Sequence, residues 1–181
     1  QNDTLVYKYQ DYPDVLPNCE VPNQALLKEA VYSFENDLFD YIFDKERVQI
    51  AKAYAKFIGP AVKGEQDYDR VVSTHSLRVF EELKKEGYLW DTEGRFSNVN
   101  YNTALFNCIA ENIQYSKVRV PMMNLLKVNS MRSDLVLDTA ARRQSAITSD
   151  VYMKTFIALE LYYGKFFGME ITPIDANKTT E

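Results

Sequence analysis

Apolar residues recur every three or four positions through most of this chain, and that spacing constrains the fold more than any other feature. After Pro22, the residues Leu27, Val31, Phe34, Leu38 and Tyr41 fall on one side of a helix. Asn23 stands where a side-chain oxygen can accept from the free N–H groups of a first turn, so an amphipathic helix is expected from there to near Phe43. Asp44 can cap a second helix with Arg47, Ile50, Ala51, Tyr54, Phe57 and Ile58 as its stripe and Gly59-Pro60 as its stop. Alternatively the two form one bent helix, because Asp44-Lys45-Glu46 holds no strong breaker.

The same spacing predicts a third helix from Asp67, as its cap, to Glu86, burying Tyr68, Val72, His75, Val79 and Leu83 and stopped by Gly87. Residues 88–100 lack a period and read as a packed loop with Trp90 and Phe96 as plugs. A fourth helix from about Thr103 to Ser116 turns Leu105, Cys108, Ile109 and Asn112 inward. Pro121 suits the first turn of the next helix, which runs to Arg143 with a break near Ser130–Ser133. The last, capped by Thr148 or Ser149, carries Tyr152, Phe156, Leu159, Tyr163 and Phe166 towards Gly168. The expected fold is all-α: an irregular bundle of five to seven helices over residues 23–168, with an extended N-terminal arm (1–22) and a flexible tail (169–181).

A length of 181 residues fits one domain with a substantial core. The net charge of −5 gives no basic footprint for a phosphate backbone, so nucleic acid is not an expected partner. No apolar run approaches the roughly 18 residues that a membrane-spanning helix needs. The chain opens on Gln1-Asn2-Asp3, which we expect to be a mature end left by signal-peptide removal. Together with Ala30-Val31-Tyr32-Ser33-Phe34-Glu35, Ser73-Thr74-His75 and Leu161-Tyr162-Tyr163, that start resembles uncharacterised secreted helical proteins of Bacteroidota-type bacteria. The resemblance implies export and carries no activity across. In an oxidising compartment Cys19 and Cys108 admit one disulfide; the other reading makes Cys108 a small buried hydrophobe.

Little else in the chain points to catalysis. His75 is the single histidine, and on an apolar stripe it reads as a hydrogen-bonded core residue; the functional alternative is a general base oriented by an acid such as Asp69. Asp37, Asp40 and Asp44 project along one helical face without a calcium-loop pattern, and read as a solvated face partly paired with Lys45 and Arg47. No zinc knuckle, haem attachment site or phosphate-cradling glycine loop is present in the sequence, so no metal or cofactor is expected. Lys117, Arg119, Arg132, Arg142 and Arg143 concentrate positive charge in an acidic chain, either for an acidic partner or to complement a helix C-terminus.

The strongest interaction signal is the arm, where Tyr7, Tyr9 and Tyr12 with Leu5 and Val6 carry more apolar surface than a leader needs. It is expected to pack on its own bundle or on a partner's sheet edge or groove. The leading functional expectation is a non-enzymatic exported interaction module or accessory subunit of a cell-envelope complex. Its contacts would be Tyr7, Tyr9, Tyr12, Arg142 and Arg143, with a protein as partner. One alternative is a small-ligand-binding protein or enzyme with an interhelical pocket near His75, Trp90 and Arg142; another is the extracytoplasmic sensor domain of a receptor.

Overall fold

A computed structural model describes residues 4–42 and 50–176. Among these the chain forms eight α-helices and no strand. They are α1 (Gln24–Ile42), α2 (Ile50–Lys63), α3 (Thr74–Leu83), α4 (Ala104–Asn112), α5 (Ser116–Lys127), α6 (Ser133–Ala141), α7 (Gln144–Thr148) and α8 (Val151–Ile157). The all-α irregular bundle is therefore what the chain adopts, with more and shorter helices than the apolar stripes suggested. The second-helix cap at Asp44, its Arg47 and the bent-helix alternative lie outside the described residues.

Helix α8 is the axis of the bundle. It continues without a gap into a π-helical turn (Ala158–Tyr162) and a 3-10 turn (Tyr163–Lys165). Between Tyr152 and Gly164 only Lys154 escapes full burial, as expected of a helix that is apolar nearly all round and surrounded by others. Phe34, Phe57 and Phe166 pack around Tyr162 with ring centroids 4.8, 6.0 and 4.7 Å away. Helix α1 packs on α2 and α3, α2 on α6 and α7, and α4 on α5 and α8.

Several element boundaries differ from expectation, each for a local reason. Asn23 does cap α1, its Oδ1 accepting from the Leu26 N–H at 3.1 Å. Helix α2 runs through Gly59-Pro60 to Lys63, since a glycine ahead of the proline has no Cβ to clash with its ring. Helix α3 starts at Thr74, seven residues beyond Asp67, which instead heads a short 3-10 turn and makes no side-chain cap. Ser73 caps α3 through Oγ, which accepts from the Ser76 N–H at 3.1 Å. Pro121 lies inside α5, which begins at Ser116 and forgoes one backbone bond there.

The expected break after α5 is a Schellman stop. Ser130 N–H bonds the Leu125 carbonyl at 3.0 Å and Asn129 N–H that of Leu126 at 3.2 Å, with Asn129 itself at φ 51°. Helix α8 is capped by Asp150 rather than Thr148 or Ser149, because its carboxylate reaches both Tyr152 and Met153 N–H groups, at 3.1 and 3.2 Å.

The segment after Gly168 does not fray where it is described. Asp69 accepts from Thr172 N–H at 2.9 Å, Ile174 N–H bonds the Val72 carbonyl at 2.9 Å, and Asp175 accepts the Thr74 N–H and hydroxyl, each at 2.8 Å. It thereby covers the start of α3. Phe96 is no plug: it lies 51% exposed, with the guanidinium carbons of Arg95 and Arg132 each 5.0 Å from its ring centre.

Candidate functional site

Helix α1 carries Glu29, Ser33 and Asp37 at intervals of four residues, which stacks them along one face. All three are buried, Glu29 completely, where α1 meets the start of α3. The acidic face expected to be solvated is thus split: Asp40 is exposed, Asp37 is inside, and Asp44 lies outside the described residues. A buried carboxylate requires donors, and the cap and first turn of α3 and the π-helical turn supply them. Asp37 Oδ2 accepts from Ser73 N–H and Oγ–H, each at 3.0 Å, from Ser76 Oγ–H at 2.6 Å, and from the Tyr162 hydroxyl. The Ser33 and Ser76 hydroxyls pair at 2.7 Å. Desolvation outweighs these donors and pushes the Asp37 carboxyl up to about 6.

Glu29 does the corresponding work for the arm. Its carboxylate accepts from the backbone N–H groups of Lys8 at 2.8 Å and Tyr9 at 3.0 Å, and from His75 Nε2 at 2.7 Å. His75 is therefore a fastening of the arm; burial holds its imidazole below the ordinary value while Glu29 opposes the shift. Further along the arm, Lys28 bonds the Gln10 carbonyl at 3.2 Å and pairs with Asp14 at 2.8 Å, and the Tyr32 hydroxyl donates to the Pro13 carbonyl at 3.0 Å. Cys19 and Cys108 are joined as a disulfide, with Cα atoms 5.9 Å apart. Cys108 thus sits at the flank of α4, half-buried against the arm, and not in the core, which takes Leu105, Phe106, Ile109 and Ala110 from that helix.

So anchored, the arm packs on its own bundle and leaves a cleft of about 650 Å³ against α1, lined by Tyr9, Tyr12, Tyr32, Glu35, Phe39 and Asp40 among others. The three tyrosine rings touch one another, with centroids 5.2 Å apart for Tyr9–Tyr12, 4.8 Å for Tyr12–Tyr32 and 5.9 Å for Tyr9–Tyr32. On the rim, Glu35 pairs with Lys154 at 3.1 Å and accepts the Tyr54 hydroxyl at 3.0 Å. Asp40 accepts from the Asn36 amide at 3.3 Å. Sequence reasoning found Tyr9 and Tyr12; it missed Tyr32, Glu35 and Glu29, because nothing in periodicity says which face of α1 the arm will cover.

The other positions singled out from the sequence are spread over the molecule. Tyr7 is 39% exposed on the arm, and burial raises its hydroxyl above the ordinary value, with Glu82 adding to the effect. Trp90 donates to the Leu83 carbonyl at 2.7 Å and packs on Phe167, ring centres 5.2 Å apart. Arg142 is exposed just past α6 and pairs with Asp138 at 3.3 Å, and Arg143 beside it is exposed too. His75, Trp90 and Arg142 share no partner, and none of the three lines the tyrosine cleft. A second cleft of about 400 Å³ runs beside Phe96, Asn100 and Ser130. Near it the carboxylate of Glu160, buried in the π turn, accepts from Ser97 Oγ–H at 2.6 Å and from the Tyr101 hydroxyl.

Chemically the tyrosine cleft offers flat aromatic surface, phenol hydroxyls and carboxylates, which suits binding. The Ser33, Ser73 and Ser76 hydroxyls are committed to Asp37 and one another and His75 to Glu29, so these groups are organised as fastenings. Among the described residues no three His, Cys, Asp or Glu side chains gather as a metal site, and no helix is long and apolar enough to cross a membrane. The chain matches no protein-family model, no curated protein and no solved structure.

Proposed function

We propose that the protein is an exported, non-enzymatic interaction module, an accessory subunit of a bacterial cell-envelope complex, that meets its partner through the cleft between arm and α1. One observation carries this reading: three tyrosines that touch one another line an open cleft, Tyr32 from α1 and Tyr9 and Tyr12 from an arm that a fully buried glutamate fixes in place. Rigid aromatic surface of this kind contributes much to an interface at small entropic cost. The disulfide supports export, since such bonds persist in oxidising compartments.

The test is a cross-linked pull-down from native envelope extract with mass spectrometry, comparing the intact chain, Tyr12→Ser in the cleft and Val128→Ser on a remote exposed site. A stoichiometric partner retained by the intact chain and Val128→Ser and lost with Tyr12→Ser is expected. Equal retention by all three, or no partner, would overturn the proposal.

A further inference from the structure

We infer that the cleft receives a cationic side chain, a lysine or arginine projected by the partner protein; this rests on the interaction-module reading. Tyr9, Tyr12 and Tyr32 line the cleft with ring centres 4.8 to 5.9 Å from one another, and a cation is attracted to such a ring from within roughly 6 Å of its centre. Charge then selects among ligands. Glu35 and Asp40 lie on the rim, and among the described residues no lysine or arginine lines the cleft. At its edges Lys28 pairs with Asp14, and Lys154 meets the charge of Glu35.

The phenols register the same negative field. Tyr9 is pushed up to about 12, first by burial and then by Asp37, Glu29 and Asp40, and Tyr32 is raised first by burial and then by Glu35. Both of these phenols therefore stay neutral at pH 7, and the exposed carboxylate on the rim is that of Asp40. An acidic segment would be repelled, while an apolar one would leave Asp40 without benefit from binding. A cation gains from both the aromatic wall and the carboxylate. The arm is already fastened by Glu29, Lys28 and the disulfide, so little ordering is required when the ligand enters.

The test uses the full chain and four glycine-serine peptides that differ at one central residue, lysine, arginine, norleucine or glutamate, followed by NMR titration of the tyrosine ring signals. The lysine and arginine peptides are expected to perturb Tyr9, Tyr12 and Tyr32 and to bind about fivefold or more tighter than norleucine. Asp40→Asn and Tyr12→Leu, both at exposed positions, are each expected to weaken lysine binding several-fold, and added salt to weaken it further in the parent. Equal binding of norleucine and lysine would overturn the cationic ligand in favour of an apolar one. Binding by no peptide would overturn it as well. A pulled-down partner that Tyr12→Ser loses but Asp40→Asn and high salt leave in place would overturn the cation while the interaction module stands.

Discussion

Replacing Asp37 by asparagine tests whether the polar seam of α1 holds an acid against its own ionisation. Asp37 is 4% exposed, and its carboxyl is raised from 3.8 to about 6, with desolvation the largest cause. Between those two values the native state holds a proton that the unfolded state releases. The stabilisation from this group is therefore complete below pH 3.8 and is lost as pH climbs through about 6. The interval corresponds to about 3 kcal/mol. Asparagine keeps an acceptor where Oδ2 receives Ser73, Ser76 and Tyr162 and cannot ionise. Urea unfolding followed by tyrosine fluorescence from pH 4 to pH 8 measures the effect. His75 titrates in the opposite sense: its lowered native value makes stability rise with pH through the region of the ordinary histidine value. Subtracting the parent from Asp37→Asn at each pH removes that contribution. The difference should shift in favour of the variant by about 2.5 kcal/mol across the range, since pH 4 lies just above the unfolded value. A difference that stays constant within about 0.5 kcal/mol would refute the argument that desolvation wins at Asp37.

Glu29→Gln presents an amide N–H to one of the two arm N–H groups, so amide hydrogen exchange at Lys8 or Tyr9 should quicken and stability fall by about 1.5–3 kcal/mol. Unchanged protection at both would show that the arm is held elsewhere. Cys19→Ala with Cys108→Ala opens a loop closed across a separation of 89 residues, and on the chain-entropy model should cost about 4–5 kcal/mol in urea unfolding. If reductant leaves the parent's midpoint where it was, the bond contributes nothing. At Asn129, whose φ is 51°, glycine should be tolerated within about 0.5 kcal/mol and alanine should cost about 1 kcal/mol in thermal unfolding.

The helical class, the start of α1 at Asn23, the Schellman break before α6 and the aromatic stripe of α8 were all legible, because each depends on residues close in the chain. Cap choice was less so. Asp150, Ser149 and Thr148 are equally able to cap, and the selection fell to Asp150, whose second oxygen also meets the Gln114 N–H at 2.8 Å, a partner from a distant segment. The seam of α1 was misread for the same kind of reason. Acids three and four residues apart look like a solvated face, and only Ser33, a small polar residue between Glu29 and Asp37 on a helix rich in apolar positions, hinted that this side faces protein. Of the candidate site, Tyr9 and Tyr12 could be named from composition, but the side of the bundle on which they settle depends on Glu29 and Tyr32.

Buried acids do in this chain what sheet ladders do elsewhere. A bundle broken into eight helices among the described residues leaves long irregular connections whose N–H and hydroxyl groups need acceptors. Glu29 serves the arm, Asp37 the turn before α3, Asp150 the link between α4 and α5 as well as its own helix, and Glu160 the loop that carries Ser97 and Tyr101. All four are at least 96% buried, and each lies on or at the cap of a helix while reaching a segment that is not helical. At Glu29 and Asp150, whose two oxygens both meet donors, a neutral amide would bring its own N–H towards one of them, so a carboxylate fits there. The consequence is a negative interior behind the arm. It is felt at the tyrosine cleft, where Asp37 and Glu29 act on Tyr9 through the protein. Under the proposed recognition, the charges that fasten the fold would also favour a cation in the cleft, which joins the folding problem of this chain to its proposed partner.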